Sequence, residues 1–327
     1  MPRCKAPEIP RVASRRIRSD FCHADESVSR PEAYLDVRRI KLAPCSTRGR
    51  VRETQQMGVF QQPARRFPMS TSEPIYEIYA VKYAGPFCRP VAKLLWNTDW
   101  GKEILVNYYI WVIRGKGETL IVDCGVAPAL AQKMELSGYI NPVQVLERIE
   151  IEASQVKRVV ITHVNFDHVS GIELFPKAVF YVQEKEFNFW IKDPVAKKPP
   201  FLMLTDLVGN DHLARLEGTG RLVLVKGDQE ILPGIELLLA PGHTPGLQVV
   251  AVNTARGTAI VGSDCGHIFR NYEEEIPSCF IIDLVAWMKT YDKVKAKVSS
   301  PDLLFPGHDM KMLTDYPKVA EDITRLA

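Results

Sequence analysis

The sequence predicts a four-layer α/β sandwich, in which two β-sheets pack against each other and helices cover their outer faces. From Ile75 onward, apolar stretches of strand length alternate with stretches of helical character. The strands gather in two strand-rich halves of the chain, and helices flank both halves. This arrangement favours the sandwich over a parallel doubly wound sheet.

The first half begins with two predicted neighbouring strands, Ile104–Ile113 and Thr119–Val122, joined by a turn at Gly115–Gly117. Further strands are predicted at Val156–Ile161 and Ala178–Val182. The predicted helices are Leu130–Leu136, Pro142–Ile149 and Glu184–Lys192. The proline-containing stretch Pro194–Leu207 is predicted to be a connecting segment.

The second half contains four predicted strands, most of them followed by turns that contain glycine. They are Leu222–Val225, Ile235–Leu239, Leu247–Val252 and Thr258–Val261. A helix at Leu284–Ala296 and a short strand at Leu303–Phe305 complete the predicted order.

Residues 1–68 differ in composition from the rest of the chain. They are rich in Arg, Pro and Ser, carry 15 Lys and Arg against 7 Asp and Glu, and show no sustained hydrophobic period. A secretory signal needs an uninterrupted apolar core, and a transit peptide is poor in acidic residues. We therefore predict a disordered, dispensable extension at 1–68 and a folded domain at 69–327, with a nucleic-acid-binding arm as the alternative for the extension.

Composition argues against several classes of protein for the folded domain. Beyond residue 68 there are 27 Lys and Arg (42 − 15) and 32 Asp and Glu (39 − 7), so this part lacks the positive excess of a nucleic-acid-binding protein. The absence of an apolar run of about 18 residues argues against a membrane span. The seven cysteines are scattered without paired spacing, which favours a reducing compartment and a cytoplasmic location.

The strongest candidate site is the segment Thr162-His163-Val164-Asn165-Phe166-Asp167-His168, which directly follows the predicted strand Val156–Ile161. A strand end is a rigid edge, and the loop after it can turn several side chains toward one point. Imidazole and carboxylate are preferred ligands of zinc and related divalent metals. Two histidines and an aspartate within six residues therefore predict a metal site.

Three later segments each place one more candidate ligand at the end of an apolar strand. These ligands are His243, Asp264 and His308. Glycines beside His243 and His308 permit tight turns. Each segment alone is consistent with an ordinary turn, but together with the first cluster they predict one shared metal centre.

The order and spacing of these residues resemble the metallo-β-lactamase superfamily, whose signature is His-x-His-x-Asp-His followed by a distant His, an Asp and a last His. The resemblance covers about 75–327 and implies a hydrolase domain over 69–327 with the αβ/βα fold, its metals at one edge of the paired sheets. Within the superfamily, the chain length, the stretch Val261–Tyr272 and the closing Phe305-Pro306-Gly307-His308-Asp309 are most similar to N-acyl homoserine lactonases.

The resemblance also implies a ligand set, with zinc as the expected metal, one or two ions, and manganese or iron as alternatives. One ion would bind His163, position 165 and His243, the other would bind Asp167, His168 and His308, and Asp264 would bridge them.

Position 165 departs from the signature, because Asn165 stands where the second histidine is expected. An amide is a poorer donor than imidazole for zinc, so the first site is expected to bind its ion more weakly. Asn165 is therefore either a weak ligand or a hydrogen-bond partner that never touches the metal.

Other residues near the signature are candidates for catalytic or supporting roles. The resemblance implies that Asp167 holds or carries a proton. His267 stands where these lactonases often have a tyrosine that supports the carbonyl oxygen, and it is either an oxyanion donor or proton carrier, or a wall of the pocket. Tyr272 is either a substitute for that tyrosine or a packing residue. Asp123 is expected to orient loop backbone or a ligand histidine.

These features predict a metal-dependent hydrolase in which metal-activated water opens a small-molecule lactone or related ester. A glyoxalase II-like thioesterase and a ribonuclease Z-like nuclease are alternatives among hydrolases, and the acidic balance of the domain argues against the nuclease. A non-catalytic metal-binding sensor or scaffold is the alternative from a different class.

Overall fold

Thirteen strands form two sheets in residues 74–327, which are the residues that the computed structural model of the protein describes. The predicted extension at 1–68 lies outside them. In chain order the strands are β1 (Glu77–Pro90), β2 (Glu103–Gly115), β3 (Glu118–Val122), β4 (Arg158–Val160), β5 (Val179–Gln183), β6 (Leu222–Val225), β7 (Gln229–Leu232), β8 (Ile235–Leu239), β9 (Gln248–Thr254), β10 (Gly257–Ser263), β11 (Leu304–Pro306), β12 (Lys318–Ala320) and β13 (Ile323–Arg325).

Mostly short helices connect and cover these strands. The α-helices between residues 74 and 327 are α1 (Val91–Leu94), α2 (Pro128–Lys133), α3 (Pro142–Glu147), α4 (Phe166–Val169), α5 (Glu184–Phe187), α6 (Pro199–Leu202), α7 (Leu207–Arg215), α8 (Phe269–Glu274), α9 (Leu284–Lys297) and α10 (Lys311–Thr314). None of the helices in this range is both long and apolar enough to cross a bilayer.

The order of the strands brings particular loops together. The larger sheet has the order β12-β13-β1-β2-β3-β4-β5-β6, and the smaller sheet has the order β11-β10-β9-β8-β7. Strands β3, β4, β5 and β6 are parallel neighbours, as are β10 and β11. Because parallel neighbours end at the same edge of a sheet, the loops after β3 and β4 lie side by side, and so do those after β10 and β11.

Strand β2 shows how the layers form, because successive side chains on a strand point to opposite faces. Trp111 packs between the two sheets in a cluster that includes Phe305 of β11. Ile110 packs on the outer face of the larger sheet, with Leu146 of α3. Trp287 of α9 packs on the outer face of the smaller sheet. The layers are helix, sheet, sheet and helix, so the predicted four-layer α/β sandwich is confirmed.

Several predicted elements differ from the observed ones. The predicted helix Glu184–Lys192 divides into α5 and a π-helical segment, Asn188–Lys192. The predicted connecting segment Pro194–Leu207 contains a 3₁₀ turn, Pro194–Lys197, and α6. Strands β1, β7, β12 and β13 were not predicted, and neither were helices α1, α4, α6, α7, α8 and α10.

Candidate metal centre

The predicted ligands lie in loops that follow strand ends, and their side chains meet. His163 lies shortly after β4, and Asp167 and His168 lie on α4. The others follow strands of the smaller sheet: His243 lies between β8 and β9, Asp264 directly follows β10, and His308 follows β11 after one residue. The sequence pattern that identified these residues is a metal-ligating side chain shortly after an apolar strand. In the fold, the residues with this pattern all lie in one region.

The Asp264 carboxylate lies at the centre of the cluster and is 3% exposed. Its Oδ2 atom is 3.7 Å from Nε2 of His163 and 3.7 Å from Nε2 of His243. Its Oδ1 atom is 3.6 Å from Nε2 of His168 and 2.9 Å from Nε2 of His308. Oδ2 therefore faces His163 and His243 while Oδ1 faces His168 and His308, as the two oxygens of a bridging ligand would.

Gly307 allows the loops after β10 and β11 to come this close. A Cβ atom at position 307 would lie 2.2 Å from Oδ1 of Asp264 and 3.1 Å from the carbonyl carbon of Ser263. The Gly307 N–H donates to the carbonyl of Gly266 at 2.9 Å, which joins the two loops. The glycine before His308 thus serves a close approach of backbone to a ligand.

Three buried groups in the described part of the chain bring metal-ligating atoms within 4.8 Å of one another. They are His163, His243 and Asp264; Asp167, His168 and His308; and Asp264, His267 and His308. The first two groups match the two ligand sets expected from the sequence, apart from position 165. The third includes His267, which was expected to be a catalytic or wall residue.

Hydrogen bonds orient three of the histidines from outside the cluster. Their Nδ1 atoms donate, in His168 to Oδ2 of Asp123 (2.7 Å), in His243 to the carbonyl of Phe280 (2.8 Å), and in His308 to the carbonyl of Asn107 (3.0 Å). A proton held on Nδ1 leaves the lone pair of Nε2 directed into the cluster.

The unpaired atoms of the cluster fit a bound metal. Nε2 of His163 and Nε2 of His168 are buried and have no hydrogen-bond partner. A buried polar atom without a partner costs about 1–3 kcal/mol, so two of them beside one carboxylate are unfavourable unless a ligand satisfies them. Nitrogen and oxygen donors of this kind suit zinc and similar divalent ions.

Burial and the surrounding carboxylates set the charges of the cluster. Burial holds the pKa of His163 and of His243 below the ordinary histidine value, so both are neutral at neutral pH. Burial also opposes protonation of His168 and His308, but the nearby carboxylates outweigh it and raise the pKa of each. Burial would raise the pKa of Asp264, yet the histidines around it hold that pKa well below its usual range. Metal binding, which uses the lone pair of Nε2, therefore competes with protonation of His168 and His308.

Asn165 lies at the start of α4 with its side chain against His243. Its Nδ2 atom is 2.9 Å from Nε2 of His243, which is a hydrogen-bond distance, and its Oδ1 atom is buried without a partner. Asn165 thus lies beside the first ligand group, and its observed contact is that of a hydrogen-bond partner.

Asp123 orients both backbone and a candidate ligand, as the sequence predicted. Its buried carboxylate accepts the Thr162 backbone N–H at 2.7 Å, the Thr162 hydroxyl at 2.8 Å and the His168 Nδ1–H at 2.7 Å. Its φ of +65° is left-handed, a conformation that Asp and Asn adopt more readily than most residues. Asp123 thereby fixes the chain before His163 relative to the ring of His168.

The Glu186 carboxylate connects the loop that carries His163 to the loop that carries His243. No feature of the sequence had indicated this role. Glu186 is fully buried, and its carboxylate accepts the N–H groups of Val164 (2.9 Å) and Gly246 (2.8 Å) and the Trp190 indole N–H (2.7 Å). Burial raises the pKa of Glu186 to about 7, although these hydrogen bonds oppose the shift.

The raised pKa of Glu186 predicts a pH-dependent stability. Because the folded-state pKa lies above the unfolded value of 4.5, the contribution of Glu186 is fully present below pH 4.5 and is lost as pH rises through about 7. Relative to Glu186→Gln, which does not titrate, the wild type should lose about 2 kcal/mol between about pH 5 and pH 8. Urea unfolding of both proteins at the two pH values measures this; a difference that stays constant or grows would contradict the assignment.

A cavity of about 140 Å³ opens onto the cluster. Asn165, Asp167, His243, Asp264, His267 and His308 line it on the ligand side. The remaining lining is Arg89, Lys93, Leu94, Val106, Tyr108, Phe166, Leu204 and Phe280. Phe166 belongs to the first ligand segment, whereas most of the others come from distant parts of the chain and carry no local motif.

A larger cavity of about 800 Å³ lies apart from the ligands, lined by residues such as Phe269, Tyr272 and Lys295. None of the clustered histidines or aspartates lines it, so we assign the chemistry to the smaller cavity. Tyr272 packs behind the Asp264 loop, where a Cβ atom at Gly262 would lie 2.2 Å from its hydroxyl oxygen. Tyr272 therefore has a packing role, which was one of the two roles that the sequence left open for it. His267, in contrast, faces the Asp264 carboxylate.

The chain belongs to the metallo-β-lactamase superfamily, whose sequence profile matches residues 105–308. N-acyl homoserine lactonase AiiA of Bacillus thuringiensis subsp. kurstaki is 26% identical over 227 residues, which cover 64% of this chain and 84% of the relative. N-acyl homoserine lactonase AttM of Rhizobium radiobacter is 23% identical over 195 residues, covering 55% and 68%. The resemblance to metal-dependent lactonases that the sequence indicated is confirmed.

Solved structures agree with this relationship at the level of the fold. A quorum-quenching N-acyl homoserine lactone lactonase matches with a TM-score of 0.62 at 19% identity, over 75% of this chain and 97% of that chain. AidC, a dizinc quorum-quenching lactonase, matches with a TM-score of 0.56 at 16% identity, over 71% and 86%.

Proposed function

We propose that this chain is a metal-dependent hydrolase that opens a lactone or a closely related ester. The observation that carries the proposal is that the two oxygens of Asp264 each face a separate pair of histidines beside a pocket. Such a division suits two divalent ions that share one carboxylate. The relatives named as N-acyl homoserine lactonases support a lactone as the substrate class.

In this proposal the two ligand groups hold zinc, with manganese or iron as alternatives. His163 and His243 would hold one ion, Asp167, His168 and His308 would hold the other, and Asp264 would contribute to both sites. When bound, the metal supplies an acidified water molecule and polarises the substrate carbonyl, so the reaction requires no nucleophilic side chain.

Asp167 is the proposed proton carrier. Its Oδ2 atom is 3.6 Å from Nε2 of His168 and 3.7 Å from Nε2 of His308, and the residue lines the pocket. The Tyr83 hydroxyl donates to the Asp167 carbonyl at 2.6 Å and holds this part of α4 in place. A carboxylate there can accept a proton from the attacking water and pass it to the ring oxygen when the ester C–O bond breaks.

The pocket suits a small, partly apolar substrate. Leu94, Phe166 and Phe280 are among its apolar walls, and Arg89 and Lys93 are its basic residues. At about 140 Å³ the cavity is smaller than typical drug-sized sites and suits a small ring or ester head group. The positive side chains of Arg89 and Lys93 would attract the negatively charged carboxylate group that hydrolysis releases.

Arg89 and Lys93 also support a glyoxalase II-like thioesterase as the second candidate, because a glutathione thioester is anionic. We retain the lactone as the first proposal, since the relatives are lactonases. A small-molecule substrate, a cytoplasmic location and the absence of nucleic-acid and membrane partners complete the proposal.

A substrate panel tests the proposal. Rates on an N-acyl homoserine lactone, a glutathione thioester and an aryl phosphodiester are compared for the zinc-loaded protein. We expect kcat/KM for the lactone to exceed the other two by at least about tenfold, or about 1.4 kcal/mol in barrier height. A preference for the thioester would favour the second candidate, and a folded, metal-loaded protein without any turnover would favour the sensor or scaffold.

A further inference from the structure

His267 is a pocket histidine to which the ligand signature gives no role. It lies three residues after Asp264 and is 4% exposed. Its carbonyl accepts the His308 backbone N–H at 2.8 Å, and the carbonyl of the preceding Gly266 accepts the Gly307 N–H at 2.9 Å. The loop that carries His267 is therefore fixed against the loop that carries His308.

The side chain of His267 approaches the same carboxylate oxygen as the first ligand pair. Its Nε2 atom is 3.4 Å from Oδ2 of Asp264, and Nε2 of His163 and of His243 are each 3.7 Å from that oxygen. Ligands of a tetrahedral zinc ion, each about 2.0–2.1 Å from the metal, lie about 3.3 Å apart. The three separations from Oδ2 are close to that spacing, and the rings of His243 and His267 are neighbours, with centroids 5.2 Å apart. Three imidazoles therefore surround this oxygen, and the ligating atoms of His267 also lie within 4.8 Å of those of Asp264 and His308.

We infer that His267 is a ligand of the first divalent ion and supplies the imidazole that Asn165 lacks. The inference rests on the metal centre proposed above. Asn165 is then not a ligand, and its Nδ2 atom, 2.9 Å from Nε2 of His243, can donate to that nitrogen only while no ion occupies its lone pair. With His267 included, the first ion has three imidazoles and a shared carboxylate, which replaces the expectation of a weak first site.

Coordination and oxyanion donation through Nε2, the nitrogen that faces Asp264, are mutually exclusive roles for His267. Nδ1 of His267 is buried without a hydrogen-bond partner, and the ring lies at 24° to that of Phe280 with centroids 6.0 Å apart. No described hydrogen bond to Nδ1 therefore fixes the tautomer, in contrast to His243 and His308. An oxyanion donor must keep a proton on Nε2, whereas a ligand must offer its lone pair there.

Zinc stoichiometry and affinity, measured by elemental analysis after equilibrium dialysis and by competition with a chelating dye, test the inference without an activity assay. The unmodified chain should hold two ions. His267→Ala should lose one of them, with its affinity reduced by at least about 100-fold, beyond what changes to outer-shell partners typically cause. Adding Asn165→His to that variant should restore the second ion, because position 165 lies beside His243.

His212→Ala is the matched control, since His212 contacts Glu173 and belongs to none of the ligand groups in the described chain. It should hold two ions. Two ions of unchanged affinity in His267→Ala, or a single ion in the unmodified chain, would overturn the inference and leave the proposed hydrolase intact. No bound ion at all in the unmodified chain would overturn both.

A second measurement uses the unmodified protein if His267→Ala does not fold by circular dichroism. In the cobalt-loaded chain, paramagnetically shifted signals should arise from five imidazoles, those of His163, His168, His243, His267 and His308. Signals from only the four signature histidines would contradict coordination by His267.

Discussion

Replacing Asp264 with alanine should remove both metal ions and lower lactone turnover to the uncatalysed rate. Its two oxygens face both histidine pairs, so the variant loses a ligand of each ion. We expect a loss of roughly 10⁴-fold or more, as is typical when a central catalytic group is removed. Asp167→Ala and His308→Ala should abolish turnover as well, since both belong to the second ligand group. Steady-state kinetics and metal analysis measure these effects.

Asp302→Ala is a suitable control for Asp264→Ala. Asp302 is exposed, pairs with Arg256 and does not line the catalytic pocket. That variant should keep normal turnover and metal content. A folded Asp264→Ala variant with near-normal turnover would show that this carboxylate is not the bridge between the ions.

Asp123→Ala should lower the free energy of unfolding by about 3–5 kcal/mol, the usual effect of removing one partner of a buried charged pair. The Thr162 N–H and hydroxyl and the His168 Nδ1–H lose their acceptor together. The left-handed backbone at position 123 adds strain for alanine. Urea unfolding measures the loss.

Asp123→Asn separates this stability effect from the effect on metal binding. Asparagine keeps the shape and the left-handed backbone, and its oxygen can still accept the Thr162 N–H. Its amide nitrogen cannot accept from His168, so the second site should lose about 10–100-fold in zinc affinity while most of the stability remains. If both variants unfolded like the wild type and bound zinc equally well, Asp123 would have no positioning role.

The ligand loops could be predicted because each follows a short apolar strand whose end is a local feature of the sequence. Val156–Ile161 before His163 and Ile260–Val261 before Asp264 are such strands. The sequence could not predict which ligands share an ion, because that depends on which oxygen of Asp264 each histidine faces in the folded chain. For that reason the sequence left His267 between two roles, and only its 3.4 Å separation from Oδ2 of Asp264 indicated a third.

The elements that were missed lack a local signal for physical reasons. Strand β1 contains Gly85 and Pro86 and shifts its register twice against β2, which interrupts the alternation that marks a strand. Strands β12 and β13 have three residues each and depend on their pairing with each other and with β1. Arg89 and Lys93 reach the pocket from the end of β1 and from α1, far in sequence from every ligand.

A zinc titration of the metal-free protein, with bound metal and lactone hydrolysis recorded at every step, tests the central claim most directly. The claim is that the buried histidines and aspartates around Asp264 form a hydrolytic metal centre. We expect no turnover without metal and a rate that rises with bound zinc until two ions are held per chain. A folded protein that binds no zinc at this centre, or that hydrolyses the lactone equally well without metal, would contradict the claim.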